Sequence, residues 1–103
     1  ENLAMGYMLD FRVSAVWGTH THVPTADNRV LPKGTGYVTD LGMTGPRDSV
    51  LGIRPELSIA RFRGDLTERY RWAEGPTKME GVLFTLDAAT GKCLKAERVD
   101  ESD

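Results

Sequence analysis

Residues 17–25 read WGTHTHVPT, and His20 and His22 are the only histidines in the chain. Neutral imidazole is a good donor to Zn, Mn, Fe, Ni and Cu, which makes metal binding the first chemistry to weigh. If the H-T-H segment is extended, alternate side chains share one face and both rings project the same way. Their Cα atoms would then stand about 6–7 Å apart, close enough to serve one metal or two adjacent ones. Two ligands do not close a site, since a tetrahedral metal takes about four donors and a catalytic one about three plus water. The other donors must come from elsewhere. An H-x-H pair on an exposed loop is also what plain polar surface looks like, and the spacing leaves both readings open.

The remaining reactive residue types are less informative. Asp27, Asp40 and Asp48 sit in turn-rich surroundings, where capping and turn roles are the usual ones for Asp. Thr19 and Thr21 read as strand formers or as hydroxyls beside the histidines. Gly42 and Gly45 read as turn residues, with Thr44 between them capping the turn. The G-T-G at 34–36 is not a phosphate loop, because no Lys-Ser/Thr follows it. Cys93 falls in a strand-like run without a nearby histidine, which argues against a nucleophilic thiol. Trp17 and Trp72 are expected in the core.

These residues need elements to hold them. The chain opens ENLAMGYMLDFR, with Leu3, Ala4, Tyr7, Met8 and Phe11 at helical spacing, so one apolar helix face is expected there. VSAVW follows as a short apolar run after a helix, the signature of a buried, parallel-type strand. That places the histidines just beyond a strand's carboxyl end, where ligand groups collect in open α/β sheets. Gly18 would provide the tight backbone that this position needs. YVTDL reads as a second strand, with loops on either side. In RPELSIARFRGD, Pro55 suits the first helical position and Gly64 the C-terminal cap, giving a short helix. ERYRWAE, EGVLFTLD and KCLKAERV read as three strands, the last two joined by the hairpin loop DAATGK. The fold class is therefore α/β, ending in an antiparallel β-meander.

Bulk properties bound the function. With 103 residues, 40% hydrophobic and 27% charged, the composition is that of one ordinary small globular domain. A net charge of −2 without long like-charge blocks argues against duplex nucleic acid or a polybasic membrane patch as partner. No apolar run approaches the roughly 20 residues of a membrane span. The single cysteine excludes an internal disulfide and favours a reducing, cytoplasmic setting. The chain lacks an initiator Met and begins inside a helical pattern, so it is expected to be cut from a longer protein. VDESD is expected to be a solvated tail.

The stretch GTHTHVPTADNRVLPKGTGYVTDLGMTGPRDSVLG, with the helix ENLAMGYMLDFRVSAV before it, resembles the C-terminal part of the YmdB-like bacterial metallophosphoesterases. That family is a branch of the calcineurin-like phosphoesterase superfamily. The resemblance is specific from Glu1 to about Ile53 and is one of layout beyond. It implies an α/β/β/α sandwich with residues 1–103 as the C-terminal fragment of one domain. It also implies two divalent ions (Fe, Mn or Zn) and hydrolysis of phosphoesters, with 2′,3′-cyclic nucleotides as substrates of some members. G-T-H-T-H resembles the superfamily's G-H-x-H motif, so His20 would bind one metal and His22 the other. The other metal ligands and the general acid would precede Glu1, leaving no catalytic residue in this chain, which is then inactive alone. Each ring's second nitrogen is expected to find a carboxylate or carbonyl partner, with Asp27 and Asp40 as candidates. Thr21 and Thr44 are candidate phosphate-pocket residues by position. The implied partners are a phosphoester or cyclic-nucleotide substrate and the missing N-terminal half. A different class of reading makes the chain a non-catalytic module that binds metal or pairs with a second copy.

Overall fold

A computed structural model describes all 103 residues, Glu1–Asp103. The chain divides into two compact units, Glu1–Met43 with Glu80–Asp100, and Thr44–Met79 with Glu101–Asp103.

In the first unit, helix α1 (Asn2–Leu9) leads to strand β1 (Ala15–Trp17), followed by β2 (Arg29–Val30) and β3 (Gly36–Val38). These form a sheet of order β1-β3-β2. β1 pairs with β3 in parallel, Val16 opposite Tyr37, and β2 pairs antiparallel on the other edge of β3. The central strand is buried along its whole length, and Tyr37, Val38 and Leu31 form the apolar centre. The parallel character expected of VSAVW is what the structure has, whereas β2 lies in a stretch whose sequence reads as loop.

α1 contacts this core differently from the expected pattern. Its one buried residue is Gly6, where a Cβ would come within 2.7 Å of the Tyr37 ring. Leu3, Tyr7 and Met8 face solvent, and Phe11 lies beyond the helix at φ +78 with 72% exposure. Periodicity identifies which residues share a face, not which face is covered. Past the helix, the buried Asp10 carboxylate accepts the N–H of Lys33 (2.8 Å) and of Thr35 (3.2 Å). The Thr35 hydroxyl accepts from Phe11 N–H and donates to the Val13 carbonyl, so the α1–β1 turn is fastened to the β2–β3 turn.

In the second unit, β4 (Thr44–Pro46) pairs antiparallel with the opening residues of β5 (Thr77–Leu86), Thr44 opposite Met79. Helix α2 (Pro55–Phe62) starts at Pro55, as expected. It stops at Gly64 in the left-handed region (φ +93), with Asp65 N–H bonded to Ala60 O and Gly64 N–H to Arg61 O. This is a Schellman stop, which glycine adopts at no steric cost.

β5 and β6 (Cys93–Ser102) form the expected hairpin, and the sheet order is β4-β5-β6. The third strand of this meander is β4, not ERYRWAE. The latter makes only an isolated bridge, Trp72 to Ile53. Residues 100–103 are exposed, as expected of VDESD, but they are not a free tail: β6 runs through Ser102, and the Asp103 carboxylate accepts Thr77 N–H at 3.1 Å. The tryptophans are also not core residues. Trp17 is 55% exposed beside Phe84 (centroids 6.2 Å apart), and Trp72 is 74% exposed. No helix is long and apolar enough to cross a membrane.

Candidate functional site

The histidine loop leaves the carboxyl end of β1 and folds back on the segment that leaves the carboxyl end of β3. Gly18 makes this possible by close approach and not by a left-handed backbone. A Cβ there would lie 2.3 Å from the Thr39 carbonyl oxygen, while the Gly18 carbonyl accepts Leu41 N–H at 3.0 Å. Farther along, Thr25 N–H bonds to the Asp40 carbonyl, and Asp40 N–H bonds to the Thr25 hydroxyl.

His20 and His22 are both exposed, and neither ring has a hydrogen-bond or ion-pair partner. The segment carrying them is not extended, which corrects the expectation that two rings share one strand face. Residues 20–23 form bends, and His22 sits in the left-handed region at φ 62. His20 lines a cleft of ≈ 590 Å³ with Glu1, Asn2, Leu3 and Thr39, and His22 is not among its lining residues. The Asn2 side-chain amide reaches the Thr39 carbonyl at 3.4 Å.

The carboxylates nearby have other partners than the imidazoles. Asp40 is 1% exposed. Its Oδ2 accepts Thr21 N–H (2.6 Å) and the Thr21 hydroxyl (2.7 Å), and its Oδ1 accepts Gly42 N–H (2.9 Å). Burial alone would push its pKa up. Hydrogen bonds from Gly42 N–H, from both Thr21 groups and from His22 N–H outweigh that, holding the carboxyl below the ordinary aspartate range. Asp27 accepts the Thr25 hydroxyl (2.6 Å), Thr39 N–H (3.0 Å) and the Thr39 hydroxyl. It too is held low, because these bonds outweigh its desolvation. Neither carboxylate meets a ring nitrogen, so the expected Asp27 and Asp40 contacts to the histidine rings are absent.

Thr21 spends its hydroxyl on Asp40 and also receives Val23 N–H at 3.2 Å. Thr44 belongs to the second unit, where it lies exposed on β4 at the edge of a cleft of ≈ 370 Å³ shared with Thr77, Lys78 and Asp103. Asp48 is exposed, with a 3.9 Å ion pair to Arg47. Cys93 is buried, and its thiol donates to the Lys95 carbonyl. No three His, Cys, Asp or Glu side chains of this chain converge in a way that could hold a metal ion. The two imidazoles nevertheless fit the donor role chemically, because their ring nitrogens are accessible and uncommitted. Sequence reasoning missed what Asp40 does. The one available signal was its position two residues past a strand end and two residues before Gly42.

The YmdB-like protein family matches residues 1–99. A 2′,3′-cyclic-nucleotide 2′-phosphodiesterase of Bacillus subtilis (strain 168) is 54% identical over 99 residues, covering 96% of this chain and 38% of its own length. A crystal structure described as a novel phosphatase, from Mycoplasma pneumoniae, has a TM-score of 0.90 at 39% identity, over 98% of this chain and 36% of that one. A hypothetical protein from Thermus thermophilus also reaches a TM-score of 0.90, at 38% identity, over 100% of this chain and 40% of that one. The chain thus spans well under half the length of these relatives.

Proposed function

The chain belongs to the YmdB-like family, and from that premise we propose that it is the metal-binding C-terminal part of a phosphodiesterase. The full-length protein hydrolyses phosphoesters, with 2′,3′-cyclic nucleotides as the substrate class. The observation that carries this reading is the pair of exposed, uncommitted imidazoles on a loop at the carboxyl end of a parallel strand. The Bacillus subtilis relative, a 2′,3′-cyclic-nucleotide 2′-phosphodiesterase by name, supports the substrate class.

His20 and His22 would each help hold one of two divalent ions, Fe, Mn or Zn. When bound, such a pair supplies Lewis acidity and a nucleophile from water at neutral pH. The chain's own residues do the positioning. Gly18 brings the loop against Thr39, and Asp40 fixes the backbone between the two rings. His20 faces the cleft that Asn2 and Thr39 line, which is the space for a phosphoester. The remaining metal ligands and the general acid come from outside these 103 residues, and the chain alone is inactive. The solvent-facing α1 residues Met5, Tyr7 and Met8 are the surface on which that remaining part packs. The lone buried Cys93 fits a cytoplasmic protein.

The same exposed apolar face supports a second reading, a non-catalytic module that pairs with another copy. Light scattering of the excised chain separates the two, since a well-behaved monomer removes the pairing module. The test of the enzyme reading is hydrolysis of bis-p-nitrophenyl phosphate and of 2′,3′-cyclic AMP by the full-length protein. His20→Ala and His22→Ala should each abolish turnover with little change in fold. Parental rates in both variants would overturn the assignment.

A further inference from the structure

We propose that Asp40 is a positioning residue whose buried carboxylate fixes the loop from which His20 and His22 present their ring nitrogens, and so sets their metal affinity without being a ligand. This rests on the metal-binding reading of the two histidines. Asp40 is itself an anchored reference point: Thr25 bonds to its backbone N–H and to its carbonyl, and its side chain is 1% exposed. From there one oxygen takes both the N–H and the hydroxyl of Thr21, the residue between the histidines, at 2.6 and 2.7 Å. The other oxygen takes Gly42 N–H at 2.9 Å.

The loop needs this hold. His22 has φ 62, a region that non-glycine residues seldom occupy unless surrounding bonds over-determine it. Thr21 N–H and hydroxyl would otherwise be free to follow an extended backbone, which would rotate His22 relative to His20. The carboxylate, with acceptors only, matches a ring of donors. An asparagine of the same shape must turn its NH₂ group towards one of those N–H donors, so Asp40→Asn keeps volume and loses the match. Hydrogen-bonding groups that orient metal ligands typically change metal affinity by about 10–100-fold when removed, and Asp40 does its orienting one residue away, through Thr21.

The experiment titrates metal-stripped full-length protein with Mn²⁺ by calorimetry and follows amide exchange of Thr21 and His22 before metal is added. Asp40→Asn should weaken Mn²⁺ binding about 10–100-fold and speed exchange at both amides. Thr21→Val, which removes one donor from an exposed side chain, should do the same to a smaller degree. Asp10→Asn is the matched control, a buried carboxylate whose partners are Phe11, Lys33 and Thr35. It should lower the melting temperature and leave Mn²⁺ affinity at the parental value. Parental affinity in a folded Asp40→Asn protein, or equal loss in Asp10→Asn, overturns the proposal. If Asp40→Asn does not fold, Thr21→Val decides, and parental affinity with parental amide exchange in it is the refuting result. Failure of the underlying reading looks different: His20→Ala and His22→Ala would then bind Mn²⁺ as the parent does, whatever Asp40→Asn does to the amides.

Discussion

Gly18→Ala tests the positioning argument with the smallest perturbation available, one methyl group. The added Cβ would stand 2.3 Å from the Thr39 carbonyl oxygen, which is backbone and has no rotamer to escape through. Ordinary contact requires about 3.4 Å, so the two segments must part by about 1 Å. The Asn2 amide nitrogen, 2.7 Å from the same methyl, is the end of an exposed side chain and can swing aside, so the Thr39 backbone is the contact that decides the outcome. Separation on that scale weakens the Leu41 N–H to Gly18 carbonyl bond, now 3.0 Å long. Overpacking of this kind costs about 1–3 kcal/mol. In a protein of the relatives' length each kcal/mol lowers the melting temperature by about 2–4 °C, giving a fall of roughly 2–12 °C. The functional effect is larger, because misplacing reacting groups by about 1 Å can cost on the order of 100-fold in rate. Thermal unfolding followed by calorimetry reads the first effect, and hydrolysis of bis-p-nitrophenyl phosphate reads the second. A Gly18→Ala protein with parental melting temperature and parental turnover refutes the claim that this contact seats the histidine loop.

Two further outcomes follow from the same physics. Asp10 and Asp27 are held below the ordinary aspartate value of 3.8: burial opposes this, and hydrogen bonds from Lys33, Thr35 and Phe11, and from Thr25 and Thr39, outweigh it. Because the folded values are depressed, their contribution is complete above the unfolded pKa and is lost as pH falls through the folded one. Urea midpoints should be level from neutral pH down to about pH 5 and drop below about pH 4, with a shallower acid slope in Asp27→Asn. At the Schellman stop, Gly64→Ala adds a methyl with nothing within 4 Å of it, so only the left-handed φ of +93 opposes the change. A loss of about 1–2 kcal/mol in denaturant unfolding is expected, and an unchanged midpoint would remove the conformational argument.

The sequence made some of this legible, for identifiable reasons. α2 could be read because Pro55 and Gly64 mark its ends by their own backbone preferences. β1, β3 and the β5–β6 hairpin could be read because short β-branched and aromatic runs stood between clear turn residues. β2 and β4 could not: β2 is two residues inside a proline- and glycine-bearing stretch, and β4 is Thr-Gly-Pro, residue types that read as turn. ERYRWAE misled because its alternation of charged and aromatic residues mimics a half-buried strand. Trp72 instead stays exposed and pairs once with Ile53. The histidines were visible as residue types beyond a strand end. Their conformation was not, because it is imposed from Asp40, eighteen residues after His22 in sequence, through hydrogen bonds that no local pattern encodes.

The most direct test of the central claim, that His20 and His22 are metal donors in a phosphodiesterase, is the metal content of the purified full-length protein by mass spectrometry. The account predicts about two divalent ions per parental chain, with a clear loss in His20→Ala and in His22→Ala while circular dichroism is unchanged. Equal metal content in parent and both variants would contradict it.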